Sequence, residues 1–248
     1  MRILVFILLF TPIRSSAEPS QCFGTTANGR LENGVMLPAE GVNFEGYSTV
    51  GRVTGRTYVH SVVKDIILAA YHELETMQPN KVYKYAETGM STGGEFKPHK
   101  THQNGLSVDF MTPVIDSLGH SVHLPTNPFN KFGYAIEFNK QGQYKDLRID
   151  YEALAAHIVA LHQQAKSQGY DLWRVIFDPQ LQPNLYQTQY ADYLKENIDN
   201  MGLFETNRAN QVLADQYLRS QSNQDIWVLG DCCGFQQENG KWVPPRAQ

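Results

Sequence analysis

Residues 81–114 read KVYKYAETGMSTGGEFKPHKTHQNGLSVDFMTPV, and they hold two strand patterns joined by a long polar connection. From Lys81 to Thr88 the residues Val82, Tyr83, Tyr85 and Ala86 alternate with charge, which predicts a β-strand; the glycine-rich stretch Gly89–Gly94 ends it. From Leu106 to Val114 a second strand is predicted, with Leu106, Val108, Phe110 and, past Thr112, Val114 on one side. Asp109 has the opposite parity and projects from the other face. Before this strand stands the densest polar cluster of the chain, His99-Lys100-Thr101-His102-Gln103-Asn104, with Gly105 allowing the backbone to bend.

Working outward, Val59, Val62, Val63, Ile66, Ile67, Ala70 and Leu74 recur at three and four, which predicts one buried helix face stopped by Pro79 and Asn80. Cys22 to Arg52 is rich in glycine and asparagine and predicts irregular turns wrapping a core made elsewhere. Downstream, Tyr134–Phe138 and Tyr144–Ile149 flank Asn139–Gly142 and predict a hairpin. Leu154, Ile158, Leu161 and Ala165 form the stripe of a second helix, with Gly169 at its end. Leu172–Phe177 predicts a short buried strand ended by Asp178 and Pro179, and Asn184 to about Ile198 a third helix. Strands and helices without strict alternation argue an α+β fold, a small and mainly antiparallel sheet flanked by helices.

Past about Asn200 the composition shifts: seven glutamines and five asparagines fall in residues 200–248, so this segment is set apart from the preceding domain. Val212, Leu213 and Tyr217 suggest at most one weak helix there, and Ile226–Val243 predicts strand, turn and strand around Glu238, Asn239 and Gly240. At the other end, Arg2, the apolar run Ile3–Phe10 and the small residues Ser15, Ser16 and Ala17 have the pattern of a secretory signal peptide cleaved after Ala17. The expected organisation is therefore a signal peptide over 1–17, a domain over 18–198 and a divergent segment over 199–248, with release into the periplasm or outside. No apolar run of the remaining chain is long enough to span a bilayer. Loss of Arg2 and Arg14 leaves a formal charge of about −6, which offers no basic footprint for nucleic acid.

In an oxidising compartment Cys22 is expected to bridge to Cys232 or Cys233, leaving one thiol over. A thiolate ligand or nucleophile has no CxxC spacing or adjacent histidine to support it. The stronger chemistry lies in His102 and Asp109. An imidazole nitrogen and a carboxylate oxygen converging on one side of a sheet match the donors that zinc takes at about 2.0–2.2 Å, and catalysis needs a third ligand and an open position for water. Hydrolysis on such a site requires the two side chains to meet within reach of solvent. His99 stands close enough in sequence to be a ligand or to orient one. His120 and His123 flank a turn at Gly119, His60 and His72 belong to the first helix, and His157 and His162 lie five apart on the second, off a common face. Asn130, Lys131, Glu137 and Asp178 read equally as loop caps, and Tyr83, Tyr85, Phe132, Tyr134 and Phe138 as packing.

The spacing Thr101, His102, Gly105, Asp109 resembles the first zinc motif of the lysostaphin, D-alanyl-D-alanine peptidase and hedgehog-like metallopeptidases. The wider string Gly93–Val114, with Phe23–Leu37, Gly51–His60, Asn130–Phe138 and Arg174–Pro183, is similar to the penicillin-insensitive murein endopeptidases, over roughly residues 20–198. The resemblance implies a hedgehog or D-Ala-D-Ala peptidase-like fold, one zinc ion per chain on His102 and Asp109, an upstream histidine near the metal matching His99, and hydrolysis of peptide cross-links in bacterial peptidoglycan. In that family a C-terminal His-x-His motif supplies the third ligand and the neighbourhood of the base. All eight histidines here precede residue 163, so that motif is missing; Asp225, Asp231, Cys232, Cys233 and Glu238 are the donors the segment offers in its place. Two alternatives follow: an inactive relative that binds peptidoglycan without cutting it, or a family-like domain whose C-terminus has been altered.

Overall fold

The computed structural model describes residues 18–198 and the short strands at 225–229, 236–238 and 241–243. The elements run β1 (Gln21–Thr25), β2 (Asn28–Glu32), β3 (Val35–Met36), β4 (Phe44–Gly46), α1 (Thr49–Val53), β5 (Tyr58–Val59), α2 (Ser61–Met77), β6 (Tyr83–Tyr85), β7 (Ser107–Met111), β8 (Val114–Ile115) and β9 (Ser121–Val122). After a 3-10 segment at Pro128–Gly133 come β10 (Gln143–Tyr144), β11 (Leu147–Ile149), α3 (Tyr151–Ser167), β12 (Leu172–Ile176), α4 (Gln182–Leu185), α5 (Ala191–Asn197), β13 (Asp225–Leu229), β14 (Gln236–Glu238) and β15 (Lys241–Val243). The fold is α+β, built on small, mainly antiparallel sheets.

The principal sheet has the order β12-β13-β7-β6-β4, antiparallel except where β4 runs parallel to β6. Its middle strand, β7, is buried on both faces. One face carries Val108 and Phe110 together with Tyr83 and Tyr85 of β6, and packs on the apolar side of α2 through Ile66, Ile67, Ala70 and Tyr71. Tyr71 stacks on Phe44 at 4.3 Å between ring centroids and meets Phe110 edge-on at 6.5 Å. Each such side chain, fully buried, contributes about 1.5–3 kcal/mol, so this face anchors the strand whose other face carries Asp109. Among the described residues no helix is long and apolar enough to cross a membrane.

Several local expectations give way to tertiary context. The glycines and asparagines after Cys22 first make a regular hairpin, in which Cys22 pairs with Leu31 and Asn28 N–H closes the turn on Thr25 Oγ1 at 3.0 Å; irregular backbone follows at residues 33–34, 37–43 and 47–48. The downstream hairpin forms later than the pattern predicts, between β10 and β11, around Lys145 at φ +56°. Tyr134–Phe138 stays out of any ladder, because Asn127 and Asn130 lock the preceding turn in a reciprocal capping box and bury Ile136 and Phe138 as coil. The second predicted strand stops at Met111, since Pro113 has no N–H to continue it, and β8 joins a separate sheet of order β10-β11-β8-β9. Helix α3 is buried without a break from Ala153 to His162 rather than along one stripe; its alanines let α2, α4, α5 and β12 approach from several sides. The third helix divides into α4 and α5, with the Thr188 hydroxyl donating to Leu185 O at 2.6 Å in the turn between them. In the C-terminal segment the strand, turn and strand expected over Ile226–Val243 are replaced by three short strands, β13 in the principal sheet and β14 paired with β15, with Glu238 inside β14; the helix suggested near Val212 falls outside the described residues, as do residues 1–17.

Candidate metal centre

The site is assembled where the end of β6 meets β7. Ala86 N–H donates to Asp109 O at 2.7 Å and Asp109 N–H to Glu87 O at 3.0 Å, so the backbone on both sides of the carboxylate is fixed. The connection from Gly89 to Leu106 is pinned by Gln103 N–H on Thr26 O (2.9 Å) and His60 N–H on Gly105 O (2.9 Å). Gly105 has φ +78°, and a Cβ there would lie 2.9 Å from His60 N, so the bend expected at this glycine tolerates no side chain. His102 itself sits at φ +72°, a strained conformation for a non-glycine residue that costs about 1–3 kcal/mol and is held by these neighbours.

The imidazole of His102 points Nδ1 at two carbonyls, Thr88 O and Ser107 O, each at 3.1 Å. Carbonyls only accept, so Nδ1 carries a hydrogen; Nε2 faces Asp109 Oδ1 at 3.2 Å, an ion pair while the ring is charged and a free lone pair for a metal once it is neutral. His99 is arranged the other way round: Nε2 lies 2.6 Å from Glu87 Oε2, and Nδ1 turns inward, 3.6 Å from Asp109 Oδ2. The Tyr134 hydroxyl donates to Asp109 Oδ2 at 2.9 Å and accepts from Glu87 N–H at 3.2 Å. Glu87 is gripped by Arg56, through Nε on Oε1 and through Nη2 on Oε2 at 3.1 Å, and by the Tyr47 hydroxyl at 2.9 Å.

Burial works against a charged His102, yet the adjoining Asp109 carboxylate and then the Ser107 carbonyl outweigh it and raise its pKa above the usual imidazole value. Burial also opposes a charged Glu87, but hydrogen bonds from His99 and Arg56, together with the guanidinium charge, bring it down to about 2. Tyr134 is pushed well above an ordinary phenol by burial and by the Asp109 and Glu87 charges, so it stays a donor.

After these bonds are assigned, three buried atoms in this cluster have no hydrogen-bond partner among the described residues: His99 Nδ1, His102 Nε2 and Asp109 Oδ1. His102 Nε2 and Asp109 Oδ1 meet each other only as an ion pair with a charged ring, whereas an atom left bare, as His99 Nδ1 is, costs about 1–3 kcal/mol. His99, His102 and Asp109 each offer one ligand atom within 4.8 Å of the others, and together they can hold a metal ion. Two imidazoles and a carboxylate suit a divalent first-row metal.

Of the residues singled out from sequence, His99, His102 and Asp109 come together, so the two-ligand site becomes a three-donor one. The expectation of reach to solvent is not met: His102 and Asp109 are wholly buried and His99 is 6% exposed, because the loop carrying Tyr134 and the Arg56–Glu87 pair close over them. His60 caps α2 instead of lying within it, accepting from Val62 N–H on Nδ1. His120 and His72 are exposed, His123 lies 3.8 Å from Glu45, and His162 pairs with Asp171 and Tyr193. Strand β13 lies beside β7 and places Ile226 in register with Asp109 and Asp225 with Phe110, so no histidine stands next to the cluster on that strand. Cys22 is disulfide-bonded; Asp231, Cys232 and Cys233 lie outside the described residues.

Glu87, Arg56 and Tyr47 escaped the sequence reading, and Tyr134 was assigned to packing alone. The one local signal is Glu87 itself, an acid two residues past the end of the buried strand β6, after the buried Tyr85 and Ala86. Its partners are remote in sequence and carry no pattern that would have joined them.

No protein-family model matches the chain. A type II NADH:quinone oxidoreductase of Haemophilus influenzae is 46% identical to it over 44 residues, which are 18% of this chain and 10% of that protein. The chain thus covers about a tenth of that relative's length, and the similarity concerns a short segment only.

Proposed function

We propose that residues 18–198 form an exported, zinc-binding domain of the murein endopeptidase type, with a hedgehog or D-Ala-D-Ala peptidase-like fold, directed at peptidoglycan in the periplasm; hydrolysis of its peptide cross-links requires this closed, buried site to open to water. Carrying this reading is the convergence of His99 Nδ1, His102 Nε2 and Asp109 Oδ1, three buried ligand atoms with no hydrogen-bond partner, the last two inside the Thr101–Asp109 motif. A zinc ion held there supplies Lewis acidity and lowers the pKa of a bound water. The protein's own part is to hold the donors: Thr88 and Ser107 carbonyls orient His102, Glu87 orients His99, and Tyr134 holds Asp109 Oδ2 so that Oδ1 faces the cluster.

Metal analysis of the purified mature protein, joined to digestion of cross-linked muropeptides, tests this. Stoichiometric zinc lost on His102→Ala, with new amino termini released by the wild type, is the expected result. A protein that stays metal-free in zinc-containing buffer overturns it, and stoichiometric iron or manganese would replace zinc with another divalent ion.

A second reading, a domain that binds peptidoglycan without cutting it, draws support from the burial of the donors and from Ile226 standing in register with Asp109. It expects zinc uptake and sacculus binding with no new amino termini. The change of composition past residue 200 suggests a third reading, a composite chain in which a family-like domain carries a segment of other origin, against which stands β13, seated between β12 and β7 in the principal sheet. Translating the coding DNA past codon 198 in its other frames tests that origin: a His-x-His ending in another frame supports it, and its absence from both frames argues against it.

A further inference from the structure

Glu87 touches both halves of the cluster by different groups. Its side chain receives His99 Nε2 at 2.6 Å, and its main-chain N–H reaches the Tyr134 hydroxyl, which in turn donates to Asp109. Its own geometry is over-determined, since Arg56 forks both carboxylate oxygens, Tyr47 adds a third donor and Arg56 is itself tied to Lys97 O at 2.9 Å. A carboxylate in that place accepts only. It therefore draws the imidazole hydrogen of His99 to Nε2 and leaves the Nδ1 lone pair turned inward. Carboxylates behind metal-bound histidines fix tautomer and ring orientation in this way, and their loss typically costs about 10–100-fold in metal affinity.

Resting on the metal-centre reading above, we propose that the Glu87 carboxylate is the positioning group of this site: by setting the tautomer of His99 it presents that donor ready for a divalent cation, while the main-chain N–H of the same residue holds Tyr134 against Asp109. The deciding variant is Glu87→Gln. The closer Arg56 contact, Nε, and the Tyr47 hydroxyl both claim Oε1, against the looser Arg56 Nη2 at 3.1 Å on Oε2, which leaves the introduced amide nitrogen facing His99 Nε2 as a donor and drives the ring hydrogen to Nδ1.

Nitrogen-15 NMR of the metal-free full-length protein reads the tautomer directly. His99 is expected as the Nε2–H form in the wild type and as Nδ1–H in Glu87→Gln. Calorimetric titration with Zn²⁺ is expected to show affinity about 10–100-fold weaker in the variant, with a changed absorption spectrum for Co²⁺ and partial recovery in Glu87→Asp. Circular dichroism establishes that the variant is folded. Wild-type uptake with an unchanged tautomer and Zn²⁺ affinity in Glu87→Gln overturns this proposal alone, whereas no Zn²⁺ uptake by the wild type overturns the metal-centre reading and this one with it. Should the variant not fold, the wild-type spectrum decides: an Nδ1–H His99 is incompatible with the proposal.

Discussion

Strand β7 separates two buried histidines that share almost nothing else. On one side His102 sits 3.2 Å from Asp109 with its backbone strained and its inward nitrogen unpaired. Across the strand, His157 of α3 lies among Tyr71, Tyr83 and Phe110, with ring centroids 5.3, 5.1 and 4.7 Å away. Both rings are fully out of water, yet their titration moves in opposite directions: burial alone drives His157 down to about 3, and Asp109 raises His102 despite burial. Burial of a titratable group is thus not what marks a site. The mark is a buried charge partner with further ligand atoms converging on it, here Asp109 between His102 and His99.

The comparison breaks most visibly by cutting adjacent residues of the same strand. Phe110→Ala removes a wholly buried ring from the core and is expected to cost about 3–5 kcal/mol in chemical denaturation. Zn²⁺ affinity should be retained in the fraction that stays folded. A loss under 1 kcal/mol would mean that this face does not anchor the strand as described.

Zinc itself should separate the two faces. Binding to the native state alone stabilises by about 2.7 kcal/mol at a free concentration of 100 Kd. That increment should appear in thermal unfolding of the wild type and of His157→Leu, and vanish in His102→Ala. An increment that survives His102→Ala would place the ion elsewhere.

Acid should act through the aromatic face. His157 is held neutral in the fold, with its pKa at about 3, and regains an ordinary value near 6.5 when unfolded. Between those values the unfolded chain binds the extra proton, so stability rises with pH in this window and is lost as pH falls below about 6.5. By pH 5 the loss amounts to about 2 kcal/mol. His157→Leu, similar in size and apolar, should flatten that part of the stability curve, and the difference between the two curves isolates this ring. Glu87 acts in a lower window: its depressed pKa gives stability present above about 4.5 and lost as pH falls toward 2. Identical curves for wild type and His157→Leu above pH 4.5 would refute the assignment.

How legible these faces were in the sequence follows from the range of the interactions that make them. The parity of Asp109 against Val108 and Phe110, the period of α2 and the bend at Gly105 are local, and they placed the carboxylate and the first imidazole correctly. Arg56 and Glu87, 31 residues apart, meet only after β6 and the α1–β5 connection have packed, and Tyr134 reaches Asp109 across 25 residues. The hairpin misplaced at Tyr134–Phe138 belongs to the same problem: alternation of Ile136 and Phe138 reports burial, which a capped turn supplies as well as a strand does. The continuous burial of α3 was hidden because alanine marks a close approach without showing a stripe.

The smallest effect expected tests how much redundancy the polar face holds. Tyr47→Phe removes the hydroxyl that donates to Glu87 Oε1 at 2.9 Å but keeps the ring, which packs edge-on against Phe132 and Tyr134 at 6.1 and 6.5 Å. Glu87 retains Arg56 on both oxygens and His99 on one, so no buried acceptor is left bare. The loss should be that of one hydrogen bond whose acceptor keeps other donors, about 1 kcal/mol in denaturant unfolding, with Zn²⁺ affinity within threefold of wild type. If Tyr47→Phe instead weakened Zn²⁺ as strongly as Glu87→Gln, the tyrosine would be setting the carboxylate's orientation and Arg56 would only be neutralising it. The two effects together therefore measure whether the guanidinium fork alone suffices to aim Glu87 at His99, which the aromatic face, held by shape and area, has no counterpart to.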